Sequence, residues 1–315
     1  MKTRHTGIEI LRIALMLGIC GIHVASFMGG YYKNVSRILW PCVVGFVFIS
    51  GYYGVKFSIW KIVRFCTLGM WCAFLAALAN SVFYGGDIVE RFFEDYKCFW
   101  FLHAYIFMMF FAPLINAALT PENALRLGLP ILFLVFGWSF AYSFSALRSF
   151  VVGLPGFGAQ TGLTLVGIYV AARMFHLLEC EGRISTFIAI CTIVLTAPLT
   201  AIRFGTYDSP IALLVAVCLF VLAFRVGIIS DRFVHIVLFI TPSLFSIYLL
   251  QVNGFAWKAF PWGIKRLTDI GVPTYLTFPL LTIGVFLLGL MIDLVRRGIL
   301  YFIVKKFYFS RYFSL

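Results

Sequence analysis

The stretch Ile8–Met28, IEILRIALMLGICGIHVASFM, is long and apolar enough to span a bilayer, yet it carries Glu9, Arg12 and His23. An Arg at the centre of a membrane helix costs about 2.5–3.5 kcal/mol on insertion scales, and such groups usually face a bundle interior. The step from Arg12 to His23 is eleven residues, about three turns, so the two share one helix face. At about 1.5 Å per residue they stand ~16 Å apart along the axis. Arg12 then lies near one membrane surface and His23 near mid-depth of a hydrocarbon core ~30 Å thick. Glu9, three residues before Arg12, is placed to pair with it. A neutral imidazole at that depth can take or relay a proton. The alternative is that Arg12 snorkels to the headgroups and His23 packs through one hydrogen bond.

Composition supports a membrane setting for the whole chain. Of 315 residues, 62% are apolar and only 12% charged, against about 25% charged in soluble domains. A soluble enzyme is excluded. An outer-membrane barrel would show alternating segments of about ten residues, whereas this chain shows long continuous apolar runs. The expectation is an all-α, polytopic integral membrane protein of one domain, residues 1–315, with no separate soluble domain. The net charge of +13 reads as lipid-facing anchors, so the bilayer is the expected partner and nucleic acid is not. Eight scattered Cys form no CxxC pair, and no metal or disulfide frame is expected. Neither a P-loop, a dinucleotide fingerprint nor a serine-hydrolase elbow is present. The basic start MKTRHTG leads into a run without a small-residue cleavage site, which reads as a retained first span.

Ten spans are expected: Ile8–Met28, Ile38–Val55, Ile62–Tyr84, Phe99–Leu119, Leu127–Phe144, Thr161–Phe175, Ile184–Ile202, Pro210–Phe224, Ile236–Phe255 and Leu276–Val295. The sixth is the shortest, and its lead-in VVGLPGFGAQTG is rich enough in Gly and Pro to form a re-entrant loop. With a cytoplasmic N-terminus, fifteen Lys and Arg fall inside and nine outside. The positive-inside rule therefore places both termini in the cytoplasm, as an even number of spans requires. The longest connections, Gly85–Cys98, Ser145–Gln160 and Trp257–Tyr275, read as outer loops.

Three further stretches carry chemistry-bearing side chains. Lys61 and Arg64 share a face at the start of the third span and can clasp a phosphate; ordinary cytoplasmic anchoring explains the same spacing. Phe46–Gly54, FVFISGYYG, places Ser50-Gly51 inside an apolar helix, which favours close backbone packing. His103 reads as structural, near the outer interface. Phe245–Arg266 ends the ninth span with Tyr248, Gln251 and Asn253 and continues through Trp257, Lys258, Phe260, Trp262, Lys265 and Arg266. Flat aromatic faces beside polar groups suit a sugar, and an interfacial aromatic belt is the alternative.

Arg12-X10-His23 after Ile8-Glu9-Ile10-Leu11 resembles the opening helix of the membrane-bound acyltransferase family 3. Phe48-Ile-Ser50-Gly51-Tyr52, Trp100-Phe101-Leu102 through Pro113-Leu114, Leu165–Arg173 and Phe245-Ser-Ile-Tyr248-Leu follow in family order, so the likeness runs along nearly the whole chain. The resemblance implies an inner-membrane O-acyltransferase that moves an acyl group, commonly acetyl, from cytosolic acetyl-CoA to a hydroxyl of an extracytoplasmic glycan or exported polysaccharide. It implies catalytic roles for His23 and Arg12, with Glu9 holding Arg12. Lys61, Arg64 and Arg12 then face the acyl-CoA donor, and Trp257, Trp262, Tyr248, Gln251 and Asn253 the glycan acceptor. Two positions depart from the family pattern: Lys61 stands where an Arg is usual, and Gln251 where many members have His. Some members carry a fused extracytoplasmic domain, and the sequence here shows none, so a separate extracytoplasmic partner is a further expectation. The rival expectation is a proton-coupled transporter or flippase for a lipid-linked sugar, with His23 as the relay.

Overall fold

A computed structural model describes residues 5–137, 162–202, 208–227 and 231–312. Every regular element among them is helical. The helices are α1 (Thr6–Met28), α2 (Tyr32–Leu39), α3 (Pro41–Tyr53), α4 (Ile59–Tyr84), α5 (Ile88–Lys97), α6 (Trp100–Ala118) and α7 (Ala124–Leu132, continued by a π turn at Phe133–Gly137). After the undescribed stretch follow α8 (Gly162–Leu177), α9 (Thr186–Ile202), α10 (Pro210–Phe224), α11 (Asp231–Ile240), α12 (Leu244–Gln251), α13 (Gly254–Asp269) and α14 (Thr274–Tyr312).

Among the described residues, six helical stretches are long and apolar enough to cross a membrane: Thr6–Met28, Tyr32–Tyr53, Ile59–Tyr84, Trp100–Ala118, Arg232–Gln251 and Thr274–Phe302. Four of the expected spans fall on shorter apolar helices, Ala124–Gly137, Gly162–Leu177, Thr186–Ala201 and Pro210–Phe224. The last of these starts sharply, because Ser209 Oγ accepts from the Ile211 N–H (3.2 Å) and Pro210 needs no donor of its own. The end of the fifth expected span, the start of the sixth and nearly all of VVGLPGFGAQTG lie outside the described residues.

Three sequence expectations are corrected. The ninth span, expected as one helix over Ile236–Phe255, is interrupted at Thr241–Ser243 by a 3₁₀ turn and ends at Gln251. Pro242 removes a backbone donor there, which shifts the hydrogen-bond pattern. The expected loop after it is the helix α13, whose first turn is capped by Asn253: Oδ1 accepts from the Ala256 N–H at 2.9 Å. The expected loop Gly85–Cys98 holds α5, capped in the same way by Asp87, which accepts from the Glu90 N–H (2.9 Å).

Helix α5 folds back along α4. A Cβ on Gly69 would come within 2.6 Å of Leu102 and 3.1 Å of Tyr96, so only glycine lets the α5–α6 junction close on α4. Helix α1 is the hub of the bundle and packs against α2, α3, α10, α12 and α14. Leu15, Ile19, Cys20 and Ile22 of α1 join Val44, Phe48, Leu102, Phe220, Ile247 and Leu249 in one continuous apolar core.

Candidate functional site

One face of α1, Arg12, Met16 and Ile19, forms a wall of a cavity of about 220 Å³. These positions follow the i, i+4, i+7 rule for a single helix face. Opposite them stand Val43, Phe46 and Ser50 from α3, Phe65 from α4 and Phe101 and Tyr105 from α6. Thr241, Leu244, Phe245 and Tyr248, from the 3₁₀ turn and α12, complete the lining. The volume lies below the ~300–1,000 Å³ of sites for drug-sized ligands, so the enclosed part takes a small group.

Arg12 is the charged residue of this lining. Its Nη1 donates to both carboxylate oxygens of Glu9, at 3.1 and 3.3 Å. Glu9 is 4% exposed, whereas the Arg12 side chain keeps 29%. The pair therefore points its cation, not its anion, at the cavity. His23 lies four residues past Ile19 on the same face, about 6 Å further along the axis. It is half-buried and has no hydrogen-bond partner among the described residues.

Other expected site residues are spread more widely. Tyr248 lines the cavity with Arg12. Lys61 and Arg64 are exposed on the first turns of α4, with Lys61 Nζ donating to the Lys56 carbonyl (3.2 Å). Phe65, next to Arg64, is what that part of α4 sends into the cavity. Asn253 is used as the cap of α13, and its Nδ2 donates to the Leu250 carbonyl (2.9 Å). Trp257 and Trp262 stand on α13, 49% and 63% exposed, away from the cavity lining. Gln251, 1% exposed, faces a different, apolar crevice.

Phe65, Tyr105 and Thr241 line the cavity without an individual sequence signal, beside Ser50, which has one. The Tyr105 hydroxyl donates to Ser50 Oγ (3.0 Å), which donates to the Phe46 carbonyl (3.0 Å). Ser50-Gly51 thus splits in two. Gly51 is the packing residue, since a Cβ there would meet the Tyr169 carbonyl at 2.7 Å, while Ser50 turns to the cavity. Asp293, an acid inside the last apolar run, is fully buried and paired with Arg296 at 2.7 Å. A lone carboxylate in twenty apolar residues is a readable signal, and it repeats the i, i+3 spacing of Glu9 and Arg12.

The stretch Leu165–Arg173 has a structural use beside this site. Tyr169 Oη donates to Asn116 Oδ1 (2.9 Å) and accepts from the Val55 N–H (2.9 Å), while Asn116 Nδ2 donates to the Val55 carbonyl (3.2 Å). Arg173 donates to the Tyr52 carbonyl at 3.2 Å. This knot ties α6 and α8 to the end of α3 and so fixes the helix that carries Ser50. No group of three or more His, Cys, Asp and Glu converges among the described residues. Comparison of the chain with protein-family models, with curated proteins and with solved structures finds no match.

Proposed function

We propose that this chain is an integral-membrane O-acyltransferase, most simply an acetyltransferase, that crosses the inner membrane ten times with both termini cytoplasmic. The observation that carries the reading is the face Arg12–Met16–Ile19, which walls a small cavity and runs on to His23. The family resemblance read from Arg12-X10-His23 and the motifs after it supplies the reaction. A highly anionic acyl-CoA arriving at the Arg12 end would meet Arg12, Lys61 and Arg64 as charge partners. The cavity has room for an acyl thioester end and not for the nucleotide.

His23 then acts as general base. It takes the proton of the glycan hydroxyl as that oxygen attacks the thioester carbonyl; the C–S bond breaks, the ester forms, and the departing thiolate takes that proton back from His23 to leave as coenzyme A thiol. Such proton transfer contributes about 10²–10⁴-fold. Arg12, held by Glu9, keeps a fixed positive charge on the donor side. The test is purified protein with acetyl-CoA and a glycan acceptor, read as free coenzyme A. Acceptor-dependent release that falls at least ~100-fold in His23→Ala is the expected result. Release equal to wild type in a folded His23→Ala protein overturns the reading. Acceptor movement across vesicles without thioester cleavage favours the transporter instead.

A further inference from the structure

The stripe of α1 that holds Arg12, Met16, Ile19 and His23 does not stop at His23. Ser26, three residues on, lies about 4.5 Å further along the axis and about 60° around it. Ser26 lines a second cavity, of about 610 Å³, at the end of α1 away from Arg12. In order along the helix, His23 thus stands between the small cavity and this larger one. Gly29 and Gly30, also in its lining, turn the chain there with φ of +69° and +52°, the left-handed region that favours glycine. A Cβ on either would meet nothing within 4 Å, so their use is the turn itself, which lays α2 back along α1. Ser26 Oγ and Ser36 Oγ, 3.0 Å apart, join the two helices at the cavity wall.

Charge selects the occupant. Lys33 and Arg37 stand at i and i+4 on α2, so both reach the cavity from one face. Among the described residues no Asp or Glu lines it. Lys33 is exposed and has no hydrogen bond or ion pair among the described residues. Arg37 is half-buried, and its Nη1 donates to the Ala201 carbonyl of α9 at 3.1 Å. That bond fixes the guanidinium and leaves Nε and Nη2 without a partner among the described residues. Trp40 adds a flat aromatic surface beside the two serine hydroxyls, a pairing that suits a sugar ring. The volume falls within the ~300–1,000 Å³ of small-molecule sites. An ordinary headgroup anchor needs neither a cavity of that size nor a fixed guanidinium.

We infer that this cavity binds the acceptor as an acidic sugar, its carboxylate held between Lys33 and Arg37 and its ring against Trp40. A uronic acid is the simplest sugar of that chemistry. A neutral glycan would leave both cations unpaired. The inference rests on the acyl-transfer reading for the use of the bound hydroxyl, though not for the binding itself. It moves the acceptor from the exposed Trp257 and Trp262 to α2, beyond His23 on the same helix stripe.

The test is binding of a galacturonic acid trimer, and of the same trimer with its carboxylates methyl-esterified, to the purified chain in phosphatidylcholine nanodiscs, read by calorimetry. The acid should bind about tenfold or more tightly than the ester, the worth of one charge-assisted hydrogen bond. Lys33→Gln should remove most of that preference and Lys33→Gln with Arg37→Gln all of it, whereas His23→Ala should keep it. Lys33 is exposed, so its single variant serves if the double variant does not fold. Equal binding of acid and ester by wild type, or binding of neither, overturns the inference. So does an acid preference that survives loss of both cations. Phosphatidylglycerol retained by wild type and lost in Lys33→Gln, read by native mass spectrometry from mixed nanodiscs, marks a lipid headgroup site and also overturns it. Coenzyme A release keeps the two readings apart. An acid preference without any release overturns acyl transfer alone, and release that is equal with acid and ester overturns the acidic-acceptor site alone.

Discussion

Two carboxylate–arginine pairs with the same i, i+3 spacing sit in the first and last long helices, and they are built differently. In Glu9–Arg12 one guanidinium nitrogen spans both carboxylate oxygens, and the cation remains 29% exposed at a cavity. In Asp293–Arg296 two guanidinium nitrogens converge on Oδ1, at 2.8 and 2.7 Å, and Oδ2 is buried without a hydrogen bond. Arg297, next along, spends its own donors on the Phe239 carbonyl and Ser243 Oγ. The first pair presents a charge to a space where a ligand can meet it. The second is closed on itself within α14, with Asp293 fully buried, and it is the neighbouring Arg297 that ties α14 to α11 and the 3₁₀ turn. Equal spacing in sequence does not imply equal use, because what faces the cation is decided by the neighbouring helices.

The largest expected effect breaks the second pair. Arg296→Ala leaves a fully buried carboxylate without its cation and should destabilise by about 3–5 kcal/mol, read as loss of folded protein by thermal unfolding in detergent. Asp293→Asn combined with Arg296→Gln removes both charges and should recover most of that loss while leaving the proposed acyl transfer unchanged. The matching change in the first pair, Glu9→Gln with Arg12→Gln, should leave the fold intact yet lower coenzyme A release about 100-fold or more, the scale of a lost charge-stabilising donor. If both double variants lose activity equally, the distinction between the pairs fails.

A third carboxylate sharpens the comparison, because among the described residues no cation hydrogen-bonds to it. Asp95 is 3% exposed and its Oδ1 accepts the Gly254 N–H at 2.6 Å. Burial pushes its carboxyl above the ordinary 3.8, opposed by that bond, Arg91 and Lys258 and reinforced by Glu94. A raised carboxyl in the fold favours the protonated form, so its contribution to stability falls as pH rises from about 4 through the folded value. Asp95→Asn keeps an acceptor for Gly254 and removes the charge. It should raise the thermal midpoint at pH 7 by an amount worth about 1 kcal/mol, with the gain shrinking as the pH is lowered toward 4. The smallest effect is that of Tyr105→Phe, which removes a donor to Ser50 Oγ and should cost about 0.5–1 kcal/mol, measurable as a shift in unfolding with the cavity otherwise unchanged.

Much of the helical framework was legible because apolar length and helical periodicity are local properties. The long runs at Ile8–Met28 and Ile62–Tyr84 correspond to α1 and α4. Asp87 and Asn253 are equally local signals for the starts of α5 and α13, but Asp87 sits in a stretch read as a loop and Asn253 in the end of the ninth expected span. The site was legible along α1, where Arg12 and His23 share a face by spacing alone, and at Tyr248 on α12. Ser50, Tyr105, Phe65 and Thr241 belong to separate elements, and nothing in their own neighbourhoods announces that they meet.

The sequence by itself determined that the chain is built of apolar helices and that Glu9, Arg12 and His23 lie along one stripe of the first. Tertiary structure alone decided where that stripe faces: α3, α4, α6 and α12 leave a cavity against Arg12, Met16 and Ile19. It also divided α12, sending Tyr248 to that cavity and Gln251, three residues on, to the apolar crevice. Three residues advance a helix by about 300°, which the sequence does specify. What stands at each bearing is set by helices distant in the chain, and no local rule contains it.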